Sequence, residues 1–179
     1  REVERLYIGK FHKYAVAGIC LAGMQNDHVA HIAKVASDAL IKKGFKVMIF
    51  NAFTDMYYDT PYSKGEASVY HLINLNIVDV LVIMPETIKS EWITDTIIRY
   101  AHAAKIPVIM LDGSHNGCTN ITYDYGRSLE SVVEHVITEH KCTDLFFMAG
   151  TKGNSFSEER TEAFKRVLAR HNIEFNEKT

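Results

Sequence analysis

The feature that most constrains this chain is a regular alternation of short apolar runs and longer amphipathic segments. Four apolar runs, at residues 14–23, 46–50, 78–83 and 107–111, have the length and continuity of strands buried on both faces. Their centres lie about 30 residues apart, which is the length of a strand–helix–strand unit. The segments between them repeat apolar residues at helical spacing. The chain is therefore predicted to have an α/β fold, a doubly wound parallel sheet with helices on both faces.

The ends of two helices can be placed from the sequence. Gly44 follows an amphipathic segment at 29–40 and is a typical helix stop, and Ser90 is placed to cap a helix that begins at Glu91. The other predicted elements are a helical segment at 67–75, a short strand at 120–123, a helix around 129–137, an apolar strand at 144–150 and a helix around 164–168.

Composition and charge favour a globular protein without nucleic-acid or membrane contacts of its own. Of 179 residues, 47% are apolar and 23% are charged, and the formal net charge is -2. Lys and Arg form neither a basic stripe nor a polybasic cluster. No apolar run approaches the ~20 residues that span a bilayer. The three cysteines, Cys20, Cys118 and Cys142, are expected to be free thiols, which favours a cytoplasmic location.

Sequence motifs for catalysis, metal binding or phosphate binding are missing. LAGMQNDH stands after the first strand where a GxGxxG turn would be, and the sequence contains no GxxxxGK[ST], GxSxG or HExxH. We expect no catalytic residue, no metal site and no cofactor. A flavodoxin-like, nucleotide-binding enzyme domain remains an alternative for an α/β chain of this kind.

Polar residues follow the predicted strands at the edge where an open parallel sheet binds ligands, because loops and helix N-termini converge there. The candidate ligand-binding residues are Asn26, Asp27 and His28 after the first strand, Phe53, Glu86, Asp112 and Asp124 after the next four, and Arg160 in the last helix. Carboxylates, amides and an arginine suit a neutral, hydroxyl-rich ligand. Asp27 also has the position of a helix N-cap.

The chain resembles the effector-binding core of the lactose/galactose repressor (LacI/GalR) family, which shares its fold with type 1 periplasmic binding proteins. The resemblance is carried by VAGICLAGMQNDHVAHIAKVASDALIKKGFKVMIFN, VDVLVIMPE, IPVIMLDG, ITYDYGRSLESVVEHVITEH, FFMAG and SFSEERTEAFKRVLARHNIEF. It implies two lobes that close over a small, sugar-like ligand. Arg160 then matches the arginine that contacts the sugar from the second lobe, Asp124 the acidic position beside the hinge, and Asn26–His28 the first ligand loop.

The sequence departs from this family at two places. Ala163 stands where the family usually has glycine, and MQNDH lacks the usual Asn-Pro-Phe-Phe with its stacking aromatic ring. Phe53 and Tyr57 are the candidates to replace that ring. Which sugar is bound therefore stays open.

The resemblance also implies the domain organisation. Residues 1–13 are predicted to be a linker, 14–141 the first ligand-binding lobe and 142–179 the start of an incomplete second lobe. An apolar strand at 144–150 without cover predicts that the chain forms a homodimer or exchanges segments. Contact with DNA is expected only through a separate domain.

A second resemblance is to the sensor halves of bacterial signalling proteins that end in a diguanylate cyclase (GGDEF) domain. It is carried by FNAFTDMYYDTPYSKGEAS, MPETI and KGNSFSEER. The chain is thus predicted to be a non-catalytic ligand-sensing domain of a signalling or transcriptional regulatory protein. A solute receptor for transport, with the same fold, is the alternative of the same class.

Overall fold

A parallel sheet organises the first of two units into which the chain divides. The structure, a computed structural model, describes residues 14–53, 60–150 and 155–176. The first unit ends at residue 122 and the second begins at residue 123. The predicted linker at 1–13, Tyr57 and part of the final loop lie outside the described residues.

The sheet of the first unit has five strands among the described residues, all paired in parallel in the order β2-β1-β3-β4-β5. The strands are β1 (Val16–Ala22), β2 (Lys46–Ala52), β3 (Val80–Ile83), β4 (Val108–Leu111) and β5 (Thr119–Ile121). All seven residues of β1 are buried, as expected for a central strand with helices on both sides. The predicted α/β class and doubly wound parallel sheet are confirmed.

The helices of the first unit connect these strands. They are α1 (Asp27–Lys42), α2 (Pro61–Ala67), a 3₁₀ helix (Ser68–Leu72), α3 (Pro85–Ile88) and α4 (Glu91–Ala103). The two predicted ends are confirmed: Gly44 has a φ of +89°, and Ser90 caps α4 by accepting a hydrogen bond from the Ile93 amide. The predicted helical segment at 67–75 is corrected, because the α-helix ends at Ala67 and continues only as the 3₁₀ turn.

Two apolar clusters cover the two faces of the sheet. Cys20 and Ile83 lie in the cluster that packs against α4 and the 3₁₀ segment. Ile19 and Leu21 lie in the cluster that packs against α1. Successive side chains of a strand point to opposite faces, so one continuous apolar run supplies both clusters.

The second unit is built on a helix pair, α5 (Tyr125–Thr138) and α6 (Ser155–Arg170). Its core contains Val133, Ile137, Phe164, Val167 and Leu168. The apolar spacing that predicts these two helices also places these side chains on the facing sides. Ala163, at the family's usual glycine position, is fully buried.

The predicted strand at 144–150 is wrong. Residues 145–150 have no regular secondary structure. Leu145 and Phe147 pack on the core of the helix pair, whereas Phe146 is 80% exposed and Met148 is 95% exposed. A strand is defined by a hydrogen-bonded neighbour, and the described part of the second unit contains no strand to pair with it. The alternating apolar pattern therefore belongs to an irregular segment, in which Leu145 and Phe147 pack on the helix pair and Phe146 and Met148 are exposed.

The cysteines agree with the prediction of free thiols. Cys20, Cys118 and Cys142 are free thiols that form no disulfide, and burial raises the pKa of Cys20 to about 12. Within the described ranges, no helix has both the length and the apolar character needed to cross a bilayer.

Candidate functional site

The loop after β1 is tied to the end of β2 by three hydrogen bonds. The Gly23 amide donates to the Ala52 carbonyl at 2.7 Å, the Met24 amide to Asn51 Oδ1 at 3.1 Å, and Gln25 Nε2 to the Phe53 carbonyl at 2.6 Å. These bonds hold the loop that leads into α1 against the neighbouring strand end. The ends of two parallel strands thus form one continuous edge, which we call the rim.

The same rim continues from β1 to β3. The Ala22 amide donates to Thr87 Oγ1 at 3.0 Å, and that hydroxyl donates to the Met84 carbonyl at 2.7 Å. The Met84 amide donates to the Cys20 carbonyl at 2.9 Å. One threonine hydroxyl therefore joins the ends of the two central strands.

Asn26, Asp27 and His28 lie at the N-terminus of α1 and are exposed. The N-cap of this helix is Asn26, whose Oδ1 accepts from the His28 amide at 2.9 Å and from the Val29 amide at 3.4 Å. The interpretation of Asp27 as the cap is corrected, because Asp27 is the first helical residue. Its carboxylate lies in the first turn, where the helix dipole favours a negative charge.

Glu86 and Asp112 bring two carboxyl groups to adjacent strand ends. Glu86 lies in the first turn of α3 after β3, and Asp112 follows β4 with a φ of +60°. Partial burial, and then the charge of Asp112, raises the pKa of Glu86. The lack of a side chain at Gly113 allows the backbone after β4 to lie close to Pro85, since a Cβ at Gly113 would lie 2.2 Å from Pro85 Cγ. The rim therefore carries an acceptor-rich patch.

Phe53 brings an aromatic ring to the rim. Its side chain is 61% exposed, while its amide donates to the Glu66 carboxylate and its carbonyl accepts from Gln25. The backbone of Phe53 is thus held from two sides, and its ring remains accessible.

In the second unit, Asp124 and Arg160 lie at the N-terminal ends of the two helices. Asp124 caps α5 by accepting from the Arg127 amide at 2.7 Å. Arg160 is in the second turn of α6 and is exposed, with its Cζ 4.7 Å from the centre of the Tyr125 ring. This contact was not among the sequence predictions, although Tyr125 directly follows Asp124.

A separate group of side chains surrounds Cys118 in the connection from β4 to β5. Cys118 Sγ lies 3.9 Å from His102 Nε2 and 3.7 Å from His115 Nδ1, and His115 Nε2 lies 3.5 Å from Asp95 Oδ1. Burial raises the pKa of the Cys118 thiol. Where residues are described, no three His, Cys, Asp or Glu side chains are arranged to hold a metal ion.

An apolar groove of about 1030 Å³ lies along one side of α4, and it includes Tyr70, Trp92, Ile93 and Tyr100 in its wall. None of the eight predicted ligand-binding residues lines it. The polar rim is therefore the better candidate site for a hydroxyl-rich ligand.

Two residues of the rim, Asn51 and Thr87, were not predicted from the sequence. Asn51 is an amide in a strand that is apolar from Val47 to Phe50, which is a usable signal because buried amides need partners. Thr87 carries no comparable signal, since its role depends on a bond to residue 22, 65 positions away.

The fold of this chain is that of the repressor cores and periplasmic binding proteins which the sequence resembles. Neither a protein-family model nor a curated protein matches the sequence. Solved structures do match, at identities that establish the fold alone.

Three solved structures illustrate the likeness. The Escherichia coli transcriptional repressor ascG matches with a TM-score of 0.63 at 19% identity, over 91% of this chain and 56% of its own. A periplasmic ribose ABC transporter from Conexibacter woesei matches with a TM-score of 0.65 at 18% identity, over 93% and 54%. An ABC transporter solute binding protein from Clostridium phytofermentans, with bound β-D-glucose, matches with a TM-score of 0.64 at 14% identity, over 87% and 48%. The chain thus spans about half the length of these structures.

Proposed function

We propose that this chain is the non-catalytic, ligand-sensing part of a sugar-responsive regulatory or signalling protein. The observation that carries the proposal is the rim, where candidate polar residues follow four strand ends and hydrogen bonds join the ends of β1, β2 and β3. A pre-ordered polar edge lowers the ordering cost of binding a small ligand.

The charges of the rim indicate the chemistry of the ligand. Glu86 and Asp112 supply carboxylate oxygens, which accept hydrogen bonds, and Asn26 and Asp27 add an amide and another carboxylate after β1. Two neighbouring carboxylates disfavour an anionic ligand, whereas sugar hydroxyls donate to both. Phe53 offers an exposed ring on which an apolar sugar face can stack.

The second unit supplies a cation. We propose that Arg160 donates hydrogen bonds to the ligand from the second lobe and that Asp124 lies beside the hinge. Closure of the two lobes would then be driven by the difference in affinity between open and closed states. That difference would bias an attached output domain, either a DNA-binding domain or a diguanylate cyclase.

The likeness to solved structures supports this proposal. One match contains β-D-glucose, another is a ribose transporter component, and a third is a transcriptional repressor. We propose a carbohydrate ligand by analogy with these structures, a cytoplasmic location from the free cysteines and a homodimer from the exposed Phe146 and Met148. The two transport proteins equally favour a second candidate, a solute receptor for transport, which the full reading frame would distinguish by its flanking segments.

The test is isothermal calorimetry with D-glucose and D-ribose, on this chain and on the full product of its gene. Arg160→Ala is expected to weaken binding by about 1.5–3 kcal/mol, the scale of a lost hydrogen bond to a charged group. Arg99→Ala is the matched control, because Arg99 also lies over a tyrosine ring, on α4. Unchanged affinity in Arg160→Ala would remove Arg160 from the site. Failure of the full product to bind any monosaccharide would contradict the function.

A further inference from the structure

Tyr125 is held at the place where the two helices of the second unit begin. It is the first residue of α5. Phe156 and Arg160 lie one turn apart on α6, and both contact the Tyr125 ring. The Phe156 ring meets it edge-on at 5.0 Å with an interplanar angle of 79°, and Arg160 Cζ lies 4.7 Å from its centre.

The helix starts that carry these side chains are fixed to each other. The Gly126 amide donates to Glu159 Oε1 at 3.0 Å. Gly126 is buried, and a Cβ at this position would lie only 3.1 Å from the same oxygen. The spacing between the Tyr125 ring and the backbone of Arg160 is therefore set by contacts of their immediate neighbours.

We propose that Tyr125 is a positioning residue that holds the Arg160 guanidinium for the ligand, an inference that rests on the proposed sugar-binding function. A guanidinium over an aromatic face is attracted by the electrons of the ring. Its N–H donors lie in its own plane, so a guanidinium stacked on a ring keeps them available for hydrogen bonds to a ligand.

The contact with Tyr125 is expected to order the Arg160 side chain before the ligand binds. Arg160 is exposed, and a long exposed side chain loses rotamer freedom when it binds. The ring of Tyr125 restricts that freedom before the ligand arrives. Tyr125 thus acts on affinity through Arg160 and needs no contact with the sugar.

The first experiment needs no ligand. In the wild type, NMR resonances of the Arg160 side chain are expected to be shifted by the ring current of Tyr125. Tyr125→Phe keeps the shift and Tyr125→Leu loses it. Arg160 resonances that are the same in Tyr125→Leu as in the wild type would overturn the inference, whatever the ligand is.

The second experiment is a double-mutant cycle in calorimetry with D-glucose and D-ribose, on this chain and on the full gene product. Tyr125→Leu is expected to weaken binding about two- to fivefold, the range for an exposed ring–cation contact. Tyr125→Phe restores wild-type affinity, and Tyr125→Leu has no further effect in an Arg160→Ala background. Tyr100→Leu, which removes the ring beneath Arg99, is the matched control and leaves affinity unchanged.

The outcomes separate the inference from the function on which it rests. Equal losses from Tyr125→Leu with and without Arg160 show that the ring acts directly or on folding, and they overturn the inference. A wild type that binds no sugar overturns the proposed function, and with it the role of Tyr125 in sugar binding. If Tyr125→Leu does not fold, Tyr125→Met takes its place, because it keeps bulk and removes the ring.

Discussion

At the scale of single residues, the rim depends on a few side chains with one specific property each. Asn26 supplies the oxygen that caps α1, Thr87 a hydroxyl that donates and accepts, and Gly113 the absence of a side chain. Thr87 in particular bonds to residues on two different strand ends. Substitutions at these positions are therefore expected to affect the site by moving the backbone of the rim.

Gly113→Ala is expected to destabilise the protein by about 1–3 kcal/mol, the scale of overpacking, because the added Cβ would meet Pro85 Cγ at 2.2 Å. Gly65→Ala is the control. Gly65 lies inside α2 with no atom within 4 Å of an added Cβ, so this change should stabilise by about 0.5–1 kcal/mol. Urea unfolding of both variants measures the difference. Equal effects of the two substitutions would show that the contact with Pro85 is unimportant.

Glu86→Gln is expected to raise stability at neutral pH. The folded pKa of Glu86 is raised by burial and by Asp112, so its charge is disfavoured in the native state. Above that raised pKa the ionised group lowers the free energy of unfolding. Below the ordinary carboxyl pKa it is protonated in both states and the difference disappears. Thermal unfolding across pH 3–8 measures this.

The control for Glu86 is Glu91→Gln. Glu91 lies in the first turn of α4, where its charge is favoured by the helix dipole, so this variant should be less stable at neutral pH. A Glu86→Gln variant that is no more stable than wild type at neutral pH would contradict the prediction. If Glu86 also accepts from the sugar, the same variant binds sugar more weakly while being more stable.

At the scale of elements, the helix pair of the second unit combines an apolar side with a charged side. Gly126, Glu130 and Glu134 follow each other at four-residue spacing on α5. Glu130 pairs with Arg166 at 2.8 Å and with Arg170 at 2.7 Å, and Glu134 Oε1 lies 2.6 Å from His171 Nε2. Apolar packing holds α5 and α6 together, and these charged and hydrogen-bonded pairs fix how the two helices are aligned along each other.

Glu130→Gln is expected to lower the thermal midpoint at neutral pH. Hydrogen bonding to Arg166, with the charges of Arg166 and Arg170, lowers the folded pKa of Glu130. Its stabilising effect is present above the ordinary carboxyl pKa and is lost as pH falls through the lowered value. The deficit of the variant should therefore shrink at low pH and in high salt.

Glu162→Gln is the control for this charge network. Glu162 pairs along α6 with Lys165, three residues on, and its side chain is 59% exposed. Exposed pairs of this kind contribute little, so a much smaller change is expected. A midpoint for Glu130→Gln equal to that of Glu162→Gln would rule out a structural role for the network.

At the scale of the whole molecule, we expect the chain to self-associate through the exposed apolar side chains of the segment at 145–150. Phe146 and Met148 expose apolar side chains on a backbone segment that carries no strand pairing. Light scattering at micromolar concentration should show a dimer or larger species. The double change Phe146→Ser with Met148→Ser should return the chain to a monomer.

Leu72→Ser is the control for self-association. Leu72 is 73% exposed on the first unit, so it tests whether any loss of exposed apolar surface has the same effect. Association that persists in the double variant would place the interface elsewhere. A clean monomer of the wild-type chain would contradict the prediction.

The sequence by itself determined the alternation of strands and helices, their approximate bounds and the edge of the sheet where polar residues collect. These features are local, because the spacing of apolar residues states which side of each element is buried. Asp112, for example, is placed at a strand end by the apolar run that precedes it.

The tertiary structure alone decided which of those residues meet. The contacts of Met24 with Asn51, Gly113 with Pro85 and Tyr125 with Arg160 join positions far apart in the chain. The wrong prediction of a strand at 144–150 has the same cause, since it too depends on contacts between distant residues. Its pattern is that of a strand, but a strand forms only where distant residues supply a partner, and apolar spacing carries no information about that partner.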